Sequence, residues 1–105
     1  MATTTLLEKL EGLQARFEEV ATLITDPSVI ADQQRYVRLT KEYKELEDLM
    51  AARKEYATLL TSLDECKQLI VNEQGPELKE RAREERAAAE QRLPQLEEEI
   101  NLMLV

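Results

Sequence analysis

The chain has 105 residues, 22 acidic and 14 basic, for a net charge of −8, with 4% aromatics. That length bounds it to a single domain, and two glycines and three prolines leave too few turn formers for a sheet protein of this size. The acid surplus argues against free binding to DNA or RNA, which needs surplus Lys and Arg to displace counterions.

Leu, Glu, Ala, Lys, Arg and Gln dominate, all good helix formers, and point to an all-α fold. The first helix is expected over about 5–25, opened by Thr5 as N-cap with Glu8 as its capping-box partner. Leu6, Leu10, Leu13, Phe17, Val20 and Ile24 then alternate at spacings of four and three, a heptad seam. Gly12 lies off that seam, at a propensity cost of about 1 kcal/mol relative to Ala. Asp26-Pro27 ends the run, because proline disfavours helical geometry at the residue before it, and Asp26 can cap a short turn. Val29 and Ile30 are expected to tuck under the bundle end.

Asp32 is the N-cap candidate for a second helix over 32–72, since no Gly or Pro interrupts Gln33 to Asn72. Such a helix is about 60 Å long. One apolar face carries Leu39, Tyr43, Leu46 and Met50. A second stripe, Leu49, Tyr56, Leu60, Leu63, Cys66 and Ile70, is shifted around the helix, as different partners in each half would require. At the next corner Gly75 can take the left-handed conformation and Pro76 suits a first helical turn. The third helix, over 76–104, carries Leu78, Ala82, Ala89, Leu93, Leu96, Ile100 and Met103, with a kink expected at Pro94. Short corners make neighbouring helices antiparallel. The expected architecture is an elongated antiparallel three-helix coiled-coil bundle with a long central helix, all three helices overlapping near Leu46 to Arg53.

No constellation supports catalysis. There is no His for base work or zinc ligation, and the lone Cys66 can form no intrachain disulfide and reads as a small packed hydrophobe. Tyr36, Tyr43 and Tyr56 read as seam residues with wet hydroxyls. Gln74-Gly75-Pro76 holds a lone glycine and is no phosphate loop. No cofactor, metal or catalytic residue is assigned. No leader-like segment opens the chain and no apolar run reaches the roughly 20 residues of a membrane span, so a cytoplasmic protein without membrane contact is expected. The chain stops on Leu102-Met103-Leu104-Val105 with neither cap nor polar tail, which reads as a piece of a longer protein.

The stretch from Asp26 to Glu47 carries a further signal. Asp26-Pro27, Val29-Ile30, Asp32-Gln33, Arg35, Leu39, Lys41-Glu42-Tyr43 and Leu46 resemble the N-terminal domain of the bacterial peptide chain release factor 1 family, the class I factors that read stop codons. The likeness continues through Arg92-Leu93-Pro94 and Glu97-Glu98-Glu99. It implies a ribosome-docking helical domain of a factor that ends translation at UAA and UAG. The family's Gly-Gly-Gln loop and codon-reading tripeptide lie in other domains, so no catalytic residue carries over. It also implies a partner at the stalk base of the large ribosomal subunit. Two basic groups are candidate contacts on that resemblance: Arg35, Arg38, Lys41 and Lys44, and Lys79, Arg81, Arg83 and Arg86. Ordinary charge pairing on a solvated helix face is the alternative for both.

Three other readings stay open. The release factor 2 domain shares the architecture, although Val29-Ile30 and Lys41-Glu42-Tyr43 follow the factor 1 pattern. A structural adaptor could dimerise through an exposed seam, since the bare stretches of the third helix and the apolar C-terminus leave surface for a partner helix; its association would depend on Leu96 and Ile100, and self-association of the piece belongs with this reading. A tRNA-gripping arm of a synthetase should be basic, which the net charge of −8 opposes.

Overall fold

The computed structural model describes residues 2–105, with side chains from Leu6 onward. Four helices follow in order: α1 (Ala2–Leu23), α2 (Pro27–Ala31), α3 (Gln33–Asn72) and α4 (Pro76–Met103), with no strand among the described residues. The fold is all-α, and its long central helix is α3, of 40 residues. The chain divides into two compact units, one ending at Arg53 and the other beginning at Lys54, so their boundary falls inside α3.

In the first unit α1 begins at Ala2, ahead of the expected start at Thr5. Thr5 is therefore an interior helical residue and not the N-cap, and its side chain lies outside the described ones. Leu6, Leu10 and Val20 are buried, as the heptad seam requires, with Leu13, Phe17 and Ile24 half-buried beside them. The first half of α3 buries Leu39, Leu46, Leu49 and Ala52. Fully burying a Leu or Val side chain contributes about 1.5–3 kcal/mol before entropy is charged against it. Phe17 stacks on Tyr43 with ring centroids 5.2 Å apart. Gln14 accepts a bond from Arg53 at 2.6 Å, so α1 residues fall in number as their α3 partners rise. The two segments are antiparallel.

The corner between them has a local cause. Asp26 Oδ1 accepts from the Ser28 N–H and hydroxyl, both at 2.8 Å, and Pro27 occupies the first turn of α2 without missing a donor. Asp32 then caps α3, its Oδ1 accepting from the Arg35 N–H at 3.2 Å. Val29 is buried, but Ile30 is 53% exposed, so only one of the pair expected to tuck under does so. In a single helical turn two adjacent side chains cannot both face the same neighbour.

Between Leu46 and Tyr56 the buried positions of α3 step three, three and four residues through Leu49 and Ala52. A strict heptad would step three, four and three. The short step rotates the buried stripe around the helix, which is the shift the sequence reading finds.

In the second unit α3 buries Tyr56, Leu63 and Cys66, and α4 buries Ala82, Ala89, Leu96 and Ile100. Tyr56 is completely buried, so it is not the wet-tipped residue expected from its type. Two α4 positions correct the sequence reading: Leu78 is 50% exposed and Met103 43% exposed. The phase set by Ala82, Ala89 and Leu96 points Lys79 toward the seam instead of Leu78, and Lys79 is half-buried. A lysine can do this because its aliphatic stem covers apolar surface while the ammonium reaches water.

Gly75 also departs from expectation. It is the N-cap of α4 in ordinary extended geometry, φ −75° and ψ 123°, not left-handed. The corner is instead held by Glu73, whose Oε1 accepts from the N–H groups of Gln74 and Gly75 at 3.1 and 3.0 Å. Pro76 follows at the start of the helix, and α4 runs on through Pro94.

Candidate functional site

Arg35, Arg38, Lys41 and Lys44 are all exposed on α3. They do not make one cluster. At 3.6 residues per turn each three-residue step lags by about 60°, so Arg35 and Lys44 end about 180° apart around the helix. Arg35 turns toward the corner, where its charge helps hold the Asp26 carboxyl below the usual carboxylate range, behind the larger effect of the Ser28 hydrogen bonds. Lys44 Nζ lies 3.5 Å from Glu47 and 3.4 Å from Asp48, and hydrogen bonding to Asp48 is the main cause raising its pKa. Arg38 and Lys41 make no ion pair among the described residues.

Two shallow depressions flank this stretch. One is lined by Gln33, Gln34, Val37 and Arg38, and the other by Tyr36, Val37, Thr40, Lys41, Lys44 and Glu45. Val37 lines both and is 58% exposed. The sequence reading missed it; its signal is an apolar residue out of phase with Leu39, Tyr43 and Leu46.

The local charge is shaped from the inner side of the helix. Glu42 is the single acid between Gln33 and Lys44. Its Oε2 accepts from Arg16 Nε at 2.6 Å and its Oε1 from Arg16 Nη2 at 2.7 Å, a two-point tie to α1. That hydrogen bonding holds the Glu42 carboxyl low and the Arg16 guanidinium high. Engaged there, Glu42 does not pair with Arg38 or Lys41.

The second basic group is dispersed as well. Lys79 and Arg86 lie half-buried along the seam side of α4, Arg86 between Ala82 and Ala89 with Nε on Glu90 at 2.8 Å. Arg83 pairs with Glu80 at 3.6 Å. Arg81, exposed, sits on the opposite flank of the helix, about 160° from Arg83. Among these four, only Arg81 and Arg83 are fully surface residues.

Nothing in this arrangement resembles a reaction centre. The described residues include no buried charged side chain and no group of three or more His, Cys, Asp or Glu placed to hold a metal ion. No described helix is long and apolar enough to cross a membrane.

Residues 13–105 match the family model of the PCRF domain. The chain belongs to the PCRF domain family. It is 62% identical over 102 residues, 97% of its length, to peptide chain release factor 1 of Bacteroides thetaiotaomicron. It is 63% identical over 100 residues to the protein of that name from Bacteroides fragilis, and 55% identical over 105 residues to that from Parabacteroides distasonis. The chain spans little more than a quarter of these relatives, 28%, 27% and 28% of their lengths. No solved structure matches it. The PCRF match takes in the whole Asp26–Lys44 region, so the corner, the Arg16–Glu42 tie and the Val37 face all belong to the PCRF domain.

Proposed function

We propose that this chain is the N-terminal, ribosome-docking domain of a peptide chain release factor 1, acting in the cytoplasm when translation ends at UAA and UAG. The observation that carries this reading is identity of 55–63% over nearly all of the chain to proteins of that name. Peptide release and codon reading belong to parts of the factor that these residues do not include: the sequence contains only Gly12 and Gly75 and therefore no Gly-Gly-Gln. The domain's task is attachment and placement, with the stalk base of the large subunit as its partner and the basic residues of α3 and α4 as its contacts. A surface of mixed charge with a net of −8 suits a protein neighbour better than bare RNA.

The adaptor reading is weaker on a specific ground. Leu96 and Ile100, on which its association is expected to depend, are 1% and 0% exposed inside the second unit.

The test uses ribosomes stalled at each stop codon. The parent factor should release peptide at UAA and UAG but not UGA, the chain alone should release none, and removing residues 1–105 should weaken binding to the ribosome. Release at UGA in place of UAG would assign the domain to factor 2. Unchanged ribosome affinity after the truncation would overturn the docking role.

A further inference from the structure

We propose that the outward face of α3 centred on Val37 docks an acidic, amphipathic surface of a protein partner. An apolar partner side chain would seat on Val37 beside Tyr36, and partner carboxylates would meet Arg38 and Lys41. The inference deepens the docking reading by naming the partner's chemistry, and rests on that reading for its setting.

Three observations converge on this face. Val37 is 58% and Tyr36 37% exposed, an apolar centre on a helix whose other large residues in this stretch turn inward. Its rim is basic, and two rim cations, Arg38 and Lys41, have no ion-pair partner among the described residues. Of the two nearby acids, Glu42 is tied at 2.6 and 2.7 Å to Arg16 on the inner side, and Glu45, which lines the same depression as Lys41, makes no ion pair with either cation. An apolar centre inside a charged rim is the anatomy of a protein interface, and unspent rim charge selects the partner by sign.

Phosphate is the poorer match. Glu45 lines the same depression as Lys41 and Lys44. A carboxylate there repels a continuous phosphate backbone, whereas carboxylates spaced along a protein helix can meet Arg38 and Lys41 while staying clear of it. The centre is also a β-branched aliphatic residue, which offers no plane for base stacking.

The test titrates the isotope-labelled chain with a 15-residue helical peptide carrying Leu on one face and Glu on its flanks. Amide shifts should map to Gln33–Glu45. Affinity should fall about tenfold in R38E/K41E and in V37S, and also on raising salt, while K67E on the remote part of α3 should bind as wild type. Circular dichroism checks that each variant keeps its helix content, and R38Q/K41Q, which only neutralises the charge, should fall between wild type and the reversal. No shifts, shifts centred elsewhere, or equal binding by R38E/K41E would overturn the proposal. So would a 15-nucleotide oligouridine that binds this face as tightly as the peptide. A second arm separates the two readings. If the parent factor binds ribosomes and R38E/K41E binds equally well, the Val37 face is not the contact and the inference fails alone. If the wild-type parent does not bind ribosomes, the docking reading fails, and the peptide arm still decides the face.

Discussion

Arg92 of α4 grips Glu55 of α3 with two nitrogens, Nε at 2.8 Å and Nη2 at 3.1 Å, while the same guanidinium reaches Glu99 at 3.1 Å. Both carboxylates are thus organised by one cation, and the geometry is the planar two-point match that arginine makes and lysine does not. The Arg92→Lys variant should therefore lose most of what Arg92→Ala loses. The side chains are 34–49% exposed, so water screens the pair. Melting of R92A should shift downward measurably, but less than melting of a core variant. A double-mutant cycle with E55Q isolates the pair: coupling indistinguishable from zero would show that the clamp adds nothing to stability.

Acid should loosen the fold through two carboxylates. Hydrogen bonds from Arg16 and Arg92 hold Glu42 and Glu55 below the ordinary glutamate value of 4.5 in the folded chain. A folded value below the unfolded one means the stabilising contribution is complete above 4.5. It is lost as pH falls from there through the folded values. The melting temperature should drop over that acid window. In E42Q/E55Q it should start lower at pH 7 and lose less on acidification, so a parallel decline in the two proteins would count against this linkage.

Core and surface apolar residues at the end of α4 should separate cleanly. Ile100 is completely buried, and Ile100→Ala should cost about 2–5 kcal/mol in urea unfolding. Leu102, 70% exposed, should change stability by no more than about 0.5 kcal/mol when made Ala. Similar losses at both positions would contradict the burial pattern.

Gly12→Ala should stabilise. The added methyl group meets nothing within 4 Å, and the position is inside α1. Removing the glycine penalty should raise stability by about 0.5–1 kcal/mol. A loss would mean that Gly12 faces a neighbour.

Cys66 should be a slow thiol. It is 3% exposed, and burial is the main cause that pushes its pKa up, with the Glu85 carboxylate adding to it. The thiolate needed for attack on a disulfide reagent is therefore scarce at pH 7. Labelling should be far slower than for a free thiol and should accelerate in urea. Fast labelling of the folded chain would overturn this.

Much of the helical framework could be read from residue types, because its signals are local. Asp26-Pro27, Asp32 and Pro76 act within one turn of where they stand, and the four-three spacing of Leu6 to Ile24 shows directly which face is buried. Two of the errors have a different cause: they depend on the phase of a helix face, which neighbouring residues decide. Leu78 is a larger hydrophobe than Lys79, yet the register of Ala82, Ala89 and Leu96 decides which of them turns inward. Ile30 lost to Val29 for the same reason. Gly75 could have been left-handed, but the Glu73 carboxylate supplied the acceptors at that corner and left the glycine nothing unusual to do. For the candidate surface, spacing located the basic residues but could not group them. That required knowing that Glu42 spends its charge on Arg16 and that Val37 looks outward.

The alanines of α4 have one more effect. Between Lys79 and Leu93 the side of α4 that faces α3 is closed mainly by the methyl groups of Ala82 and Ala89, and Cys66 lies there, its sulfur 3.8 Å from Glu85. Methyl groups bring two backbones close but hold them weakly, so this stretch should open transiently more often than the Leu96–Ile100 segment. Its backbone amides should trade hydrogen for deuterium sooner, and Cys66 becomes a natural gauge of how often that seam breathes.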